Sequence, residues 1–358
     1  MKLYLVGGFL GSGKTTAIQK ACSELLSNGI KVGVITNDQG DQLVDSGFMK
    51  GANVPTLEVT NGCFCCNYDQ LDSNLYSLKE ENSAEIIFAE SVGSCTDLIA
   101  TIVKPLSQYR PEIEVVVSVF ADARVLPTLL QSSRLFADSV SYIYKKQLEE
   151  ADLLVINKVD LLSPTQLQEL KQLVEKKYQH KQILYQNSLD SKSIQNWLRG
   201  LLEFELTSKR TSLDIDYEVY GAGEALLAWV DQEIEIFSTE SNAVEIGIGL
   251  IYRIHAGIKE NELSIGHLKF LINTGLAQEK ISFTTASVAQ TQISTALPET
   301  RHLSILINAR VQAEPDFLEA IISDAIQETQ ELSGCTILEQ KKNSFQPGFP
   351  TPTHRILE

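Results

Sequence analysis

Residues 8–15 read GFLGSGKT, and this segment constrains the fold of the chain more than any other. It follows an apolar run at residues 3–6, which is the context that the phosphate loop GxxxxGK[ST] requires. The glycines allow a tight turn whose N–H groups point at phosphate oxygens, and the next helix adds its positive end. The motif therefore predicts an α/β domain that binds a nucleoside triphosphate. The residues expected to contact the nucleotide here are Gly8, Gly11, Ser12, Gly13, Lys14, Thr15 and Thr16.

A second segment supplies the expected catalytic carboxylate. Glu90 ends the apolar run at residues 86–89, where phosphate-loop enzymes place the acid that holds Mg²⁺ through water. Lys14 would reach the β- and γ-phosphates, and the Thr15 hydroxyl would bind Mg²⁺ directly. Gly93 would let the backbone approach the γ-phosphate and sense its loss. We therefore predict Lys14 and Glu90 as catalytic residues and Mg²⁺ as a cofactor.

The sequence NKVD at residues 157–160 predicts the base, because it follows another apolar run at 153–156. An Asp160 carboxylate can accept hydrogen bonds from both guanine N1–H and the exocyclic amine. Adenine offers no such donor pair and would leave the carboxylate unpaired, at a cost of several kcal/mol. Asn157 would tie this loop to the phosphate loop, and the Lys158 stem would cover the base. The pattern favours GTP and GDP over adenine nucleotides.

Three of the six cysteines lie in GCFCC at residues 62–66. The N-terminus enters the first strand at once and no apolar run is long enough for a bilayer, so we expect a cytoplasmic protein. Clustered thiols in that compartment more often bind metal or do redox chemistry than form disulfides. Three thiolates with one outside ligand would hold Zn²⁺ or another soft ion, whereas the alternative is small apolar side chains in a turn. For Cys22 and Cys335 core packing is the better interpretation, and Cys95 is left open.

Taken in order, these motifs resemble the CobW-type metallochaperone GTPases, a family that includes cobalamin-synthesis proteins, nitrile hydratase activators and zinc-transfer GTPases. The similarity covers roughly residues 1–205, and its most diagnostic element is CxCC between the first switch and the Glu90 strand. The resemblance implies that Cys63, Cys65 and Cys66 bind a thiophilic metal, with Zn²⁺ favoured and Co²⁺ as the alternative. It also places residues 37–40, NDQG, in the first switch.

The chain departs from the family in three places. Its switch reads NDQGD where the family has NEFG and an acid, so Asp38 or Asp41 would complete a metal shell with altered reach. It has no histidine-rich tract, and its second half lacks clear similarity to the family's C-terminal domain. Three histidines of that half could share a site, although separate surface or core positions are commoner: His255, His267 and His302.

The pattern of apolar runs predicts two kinds of domain. In the first half they alternate with helical patterns, which indicates a doubly wound phosphate-loop domain with a parallel sheet over residues 1–206. The expected strands lie at 3–6, 31–36, 85–89, 115–120, 153–156 and 182–185, and the expected helices at 15–27, 123–135, 139–150 and 164–178.

The second half predicts a smaller α+β domain at 213–345 and an extended tail at 346–358. Its expected strands lie at 233–237, 244–255, 281–285 and 303–309, with a helix at 315–331, and residues 265–272 fit either type. Gly247 and Gly249 would mark a bulge or close backbone contact in the strand at 244–255.

These features together predict a GTP-hydrolysing metallochaperone or metal-cofactor activator. Its partners would be GTP, GDP and an apo-metalloprotein client or cofactor-assembly protein, with a homodimer as one option. The net charge of −16 argues against nucleic acid and anionic membranes as partners. Two alternatives stay open: a regulatory GTPase that senses metal or redox state without delivery, and a small-molecule kinase of the phosphate-loop class.

Overall fold

A computed structural model describes residues 1–37, 54–60, 62–131, 135–205, 210–286 and 297–358. The chain divides into two compact units. The first holds the described residues up to Gly223 together with Phe349–Glu358, and the second holds Glu224–Gly348. Within the described ranges, no helix is both long and apolar enough to cross a membrane.

In the described part of the first unit, seven parallel strands form one sheet in the order β3-β2-β4-β1-β5-β6-β7. Parallel strands buried on both faces are continuous apolar runs, and the runs in the sequence have this character. All six predicted strands are present, whereas β3 was not predicted because it has only four residues. The strands are β1 Lys2–Gly8, β2 Val32–Asn37, β3 Thr56–Val59, β4 Ile86–Glu90, β5 Glu114–Asp122, β6 Leu153–Asn157 and β7 Gln182–Gln186.

Helices connect these strands, as the alternating pattern predicts. The helix predicted at 164–178 is confirmed, and Ser163 caps it with a reciprocal bond to Gln166. The prediction of one helix over 123–135 is wrong for the described residues, because the helix there has only five residues and begins beside Pro127. The helices are α1 Lys14–Ser27, α2 Tyr68–Glu80, α3 Lys104–Tyr109, α4 Leu126–Leu130, α5 Asp138–Glu150, α6 Pro164–Tyr178, α7 Ser191–Leu202 and α8 Tyr217–Ala225.

Helices α1 and α7 cover one face of the parallel sheet. The side chain of Trp197 on α7 is fully buried, packs edge-on against Phe120 and donates from Nε1 to the Ser118 hydroxyl at 3.0 Å. Burying an aromatic side chain while satisfying its N–H stabilises the sheet without leaving an unpaired polar group. The carboxyl ends of the strands are thereby held in a fixed frame for the loops that follow them.

The second unit contains an antiparallel sheet, in the order β10-β9-β11-β8-β12 among its described residues. Two helices, α9 Ala243–Glu260 and α10 Pro315–Ser333, pack on a shared apolar core with it. This arrangement confirms the predicted α+β class and assigns residues 265–272 to a strand. The strands are β8 Leu227–Phe237, β9 Ile265–Asn273, β10 Gln278–Phe283, β11 His302–Gln312 and β12 Thr336–Phe345.

The predicted strand at 244–255 is wrong, because these residues belong to helix α9. The buried positions of this helix recur every three or four residues, which is the period of one helix face. Runs of isoleucine and glycine obscured that period. Gly247 does not mark a bulge. A Cβ at this position would lie 2.5 Å from Leu303 Cδ2, so glycine allows the helix to lie close to the sheet.

The proposed domain limits of 1–206, 213–345 and 346–358 stay a prediction. In the structure Phe349–Glu358 belongs to the first unit, whereas Gln346 to Gly348 belong to the second. The end of the chain therefore contributes contacts to the first unit, described below.

Candidate functional site

The phosphate loop joins β1 to α1 with the geometry that its sequence predicts. Gly8, Gly11 and Gly13 have φ angles of 126°, 72° and 94°, a region that favours glycine. Lys14 is buried, and its ammonium donates to the Gly8 carbonyl at 2.7 Å. The Ser12 hydroxyl is buried without a hydrogen-bond partner among the described residues. Because buried hydroxyls are normally paired, this one is suited to a ligand bound in the loop.

The residues predicted to hold Mg²⁺ come together at the end of this loop. Thr15 Oγ1 donates to Glu90 Oε1 at 2.9 Å, although the two residues are far apart in sequence. Both side chains are largely buried. Gly93 lies against the phosphate loop as well, since a Cβ there would be 3.0 Å from the backbone Cα of Leu10. The hydroxyl, the carboxylate and the glycine therefore meet where a γ-phosphate and its metal would lie.

The predicted base-recognition segment contacts the phosphate loop. Asn157 Nδ2 donates to the Ser12 carbonyl at 2.8 Å, and Lys158 Nζ donates to the Gly11 carbonyl at 2.5 Å. Lys158 adopts a left-handed φ of 64°. Asp160 lies in a one-turn helix, Val159–Leu161, and its side chain is exposed. The segment thus presents an accessible carboxylate beside a lysine stem that is fixed to the loop.

Two further residues, Asp122 and Ser188, make contacts at this site. Asp122, the last residue of β5, pairs with Lys158 at 2.9 Å and with Arg124 at 2.7 Å. Burial raises the pKa of Asp122, but the two cations more than offset this, so its pKa lies below its ordinary value. Ser188 donates from its hydroxyl to Asn157 Oδ1 at 2.8 Å and from its N–H at 3.1 Å. Asp122 was not predicted, because an aspartate at a strand end is too common for sequence alone to single out.

The three cysteines of the GCFCC segment form one cluster. Their sulfurs lie within 4.8 Å of one another, and this is the only group of three or more His, Cys, Asp or Glu ligands found among the described residues. Cys63 and Cys66 are 3.3 Å apart, and Cys65 and Cys66 are 3.8 Å apart. In a tetrahedral site with Zn–S bonds of about 2.3 Å, neighbouring sulfurs are about 3.8 Å apart. Cys63 and Cys65 are closer, at 2.7 Å, so this pair would have to separate by about 1 Å to hold a thiophilic ion, whereas the other two pairs need smaller adjustments.

The electrostatics of the cluster favour a thiolate at one position. The pKa of Cys63 lies well below its ordinary value because the thiols of Cys65, Cys66 and Cys95 interact with its sulfur. Contact with the Cys63 sulfur is the main cause that raises the pKa of Cys65, and it also raises the pKa of Cys66 to about 11. Helix α2 begins just after this segment and adds its positive end. One ionised sulfur surrounded by protonated thiols is chemically a soft-metal site that releases protons on loading.

Asn37 connects the cluster to the sheet. This side chain, at the end of β2, donates to the carbonyls of Val59 and Gly62 at 3.0 and 2.8 Å. Its oxygen accepts from the Phe64 N–H at 2.8 Å. The first residue of the predicted switch therefore holds the backbone on both sides of Cys63. Asp38 and Asp41, the predicted outside ligands, lie beyond the described residues.

The remaining cysteines and histidines behave differently. Cys22 and Cys335 are buried in the first and second units. His255 stacks on Phe283 with ring centroids 4.3 Å apart, whereas His302 is exposed and stacks on Phe237. These histidines and His267 do not appear as a metal-ligand group in the ranges that the structure describes.

Comparison with known proteins was consistent with this geometry. A family model described as "CobW/HypB/UreG, nucleotide-binding domain" matches residues 2–185. The zinc chaperone CobW of a Sinorhizobium species is 25% identical over 284 residues, which cover 72% of this chain and 78% of that protein. The zinc chaperone YjiA of Escherichia coli K12 is 33% identical over 96 residues, covering 26% of this chain and 30% of YjiA.

Among solved structures, HypB from Helicobacter pylori in complex with nickel is similar. It has a TM-score of 0.41 and 19% identity, and the match covers 58% of this chain and 91% of HypB.

Proposed function

Because the chain belongs to the CobW/HypB/UreG nucleotide-binding family, we propose that it is a GTP-hydrolysing metallochaperone. In this proposal GTP and Mg²⁺ bind the first unit, and Cys63, Cys65 and Cys66 carry a thiophilic metal that is delivered to a client protein. The observation that carries the proposal is the position of Asn37, which connects the predicted switch with the cysteine segment. This residue ends the strand that leads into the predicted switch, and it holds the backbone of the cysteine segment by two hydrogen bonds, with a third to Val59 in β3.

Hydrolysis would use the residues around the phosphate loop. Lys14 would turn from the Gly8 carbonyl to the β- and γ-phosphates, and Ser12 would gain a partner for its hydroxyl. Thr15 and Glu90 would hold Mg²⁺, Glu90 through water. When bound, Mg²⁺ neutralises charge that develops on the phosphate oxygens. The exposed Asp160 carboxylate would accept hydrogen bonds from guanine N1–H and the exocyclic amine. The Gly93 backbone would move when the γ-phosphate is lost.

The metal is cargo in this proposal. Zn²⁺ is favoured by the three thiols and by the names of the relatives, with Co²⁺ as the alternative. A site with three protein ligands keeps a position open for a ligand from the client, which suits transfer better than permanent binding. Loading would be weaker at low pH, because the thiols must lose protons.

A transfer assay tests the proposal. Protein loaded with one equivalent of Zn²⁺ is mixed with a chromogenic chelator and Mg²⁺ plus GTP, GDP or a non-hydrolysable GTP analogue. The proposal expects the rate of metal release to follow the nucleotide, with GTP turnover altering it. Release that is identical with all three nucleotides, while GTP is still hydrolysed, would instead support the regulatory GTPase. Phosphate release that requires a small-molecule acceptor would support the kinase.

A further inference from the structure

We propose that Cys95 is a fourth thiol ligand of the metal held by Cys63, Cys65 and Cys66. This inference rests on the proposed metal binding at those three cysteines and adds a ligand from a different segment of the chain. Cys95 lies in the loop after β4, five residues beyond the predicted Mg²⁺ ligand Glu90.

The side chain of Cys95 faces the cluster. Its thiol lies within hydrogen-bonding reach of the sulfurs of both Cys63 and Cys65, and the residue is 2% exposed. Cys95 thus lies beside two of the three clustered sulfurs, although it falls outside the group of three that lie within 4.8 Å of one another, so it would have to move toward Cys66 to complete a shell. Cys22 and Cys335 have no such neighbours among the described cysteines. Four thiolates around a divalent ion form the common tetrahedral Cys₄ site.

The backbone of Cys95 is held in place independently of the cluster. Gln147, buried on helix α5, donates from Nε2 to the carbonyls of Gly93 and Cys95 at 2.9 and 2.8 Å. The Cys95 N–H donates to the Val92 carbonyl at 3.1 Å. One amide therefore fixes the glycine that faces the phosphate loop and the cysteine that faces the thiols. A shift of this loop would move both together.

This connection gives nucleotide state a direct effect on the metal. With Cys95 bound, four thiolates close the coordination shell and the ion is retained. If the loop at Gly93 relaxes after γ-phosphate loss, Cys95 is withdrawn and three thiolates leave an open position. A client thiol or imidazole could then enter at that position. The closed and open shells would correspond to holding and transfer.

Cobalt spectroscopy tests this ligand. Co²⁺ bound by thiolates shows charge-transfer absorption that grows with the number of Co–S bonds, so it counts ligands without any activity measurement. We expect Cys95→Ser to keep about three quarters of the wild-type intensity in the GTP-analogue form, as one of four bonds is lost. Cys335→Ser, in the second unit, is the matched control and should keep full intensity.

The outcomes separate this inference from the proposed function. Full intensity in folded Cys95→Ser would overturn the fourth ligand while leaving the three-thiol site intact. Absence of the absorption in wild-type protein would overturn metal binding itself. Cys95→Ala, which replaces the buried thiol with an apolar group, provides a second variant if serine perturbs folding. It should show the same partial loss.

A second, independent observation concerns the end of the chain. The Thr353 N–H donates to the Cys65 carbonyl at 2.8 Å, and its hydroxyl donates to the Cys66 carbonyl at 3.1 Å. Arg355 pairs with the buried Asp97 at 2.8 Å, and the Ile356 N–H donates to the Ala100 carbonyl at 2.9 Å. The tail therefore bridges the cysteine segment and the segment that follows Cys95.

We infer that residues 351–357 form a strap that restrains both sides of the metal cluster and slows metal exchange. A full-length variant that carries both Thr353→Pro and Arg355→Gln removes three of the four contacts described above. Zn²⁺ transfer from this variant to a chelator should be about 10-fold faster, in line with other supporting residues of metal sites. Glu358→Gln, at an exposed position, is the control. An unchanged release rate in the folded double variant would overturn the strap.

Discussion

The nucleotide site and the cysteine cluster lie in the same unit but are held together differently. The nucleotide site is built from short motifs that contact one another directly, such as Asn157 with Ser12 and Thr15 with Glu90. The cysteine cluster is compact in sequence, yet its supports come from distant segments: Asn37, Gln147 and Thr353. A motif can therefore reveal the ligands of a site without revealing the residues that support them.

The largest expected effect lies in the nucleotide site. Asp160→Ala should remove most of a preference for GTP over ATP that we expect to be about 10⁴-fold, because only the carboxylate distinguishes guanine by paired donors. Binding of both nucleotides by calorimetry measures this. Glu169→Ala, exposed on helix α6, is the control. Equal affinities of wild-type protein for GTP and ATP would show that the guanine assignment is wrong.

The phosphate loop provides the next test. Lys14→Ala should lower GTP turnover by about 10²–10³-fold, since a positioned charge on the transferred phosphate is lost. Lys20→Ala, exposed on the same helix, should turn over GTP normally. Metal affinity measured without nucleotide should be unchanged in both variants if the two sites are separately built. A loss of metal affinity in Lys14→Ala alone would show that the nucleotide site and the cysteine cluster are not built separately.

A third test concerns the support for the segment after Cys95. Glu150 is buried, and its carboxylate accepts from the Thr96 hydroxyl at 3.0 Å and from the Ile99 N–H at 3.1 Å. Burial raises its pKa from 4.5 to about 8. A raised carboxyl pKa stabilises the fold fully below pH 4.5, and this contribution is lost as the pH rises to about 8.

Glu150→Gln should remove that dependence. The free energy of unfolding of the wild type should fall relative to the variant by about 3 kcal/mol or more between those two pH values. Urea titrations at several pH values measure it. Parallel pH profiles of the two proteins would mean that Glu150 is ionised in the folded state at neutral pH.

Variants of the cysteine cluster should lose metal affinity and keep GTP affinity, which is the opposite of what we expect for variants of the phosphate loop. Cys65→Ser/Cys66→Ser should weaken Zn²⁺ binding by about 100-fold or more, because two thiolates are lost where even supporting residues cost 10- to 100-fold. GTP affinity should change little in the absence of metal. Competition with a chelator measures the metal affinity. Full affinity in this double variant would place the metal elsewhere, with the histidines of the second unit as the next candidates.

Sequence alone predicted most of the first unit, because parallel strands are continuous apolar runs and its motifs have a fixed spacing. Lys14, Glu90 and Asn157 lie together as their motifs require. Asn37 and Thr353 act through hydrogen bonds between distant segments, which no local pattern encodes. In the second unit, helix α9 was mistaken for a strand because isoleucines favour strands, although their period is helical. Its core overrides that local preference.

Nucleotide state should change the affinity of the cysteine cluster for metal, and chelator competition measures that change. Zn²⁺ affinity is determined by chelator competition for wild-type protein bound to Mg²⁺ and either a non-hydrolysable GTP analogue or GDP. We expect a difference of about 5- to 150-fold between the two forms, and Zn²⁺ should change nucleotide affinity by the same factor. Identical affinities in the two forms would contradict it and leave a GTPase that carries a structural metal.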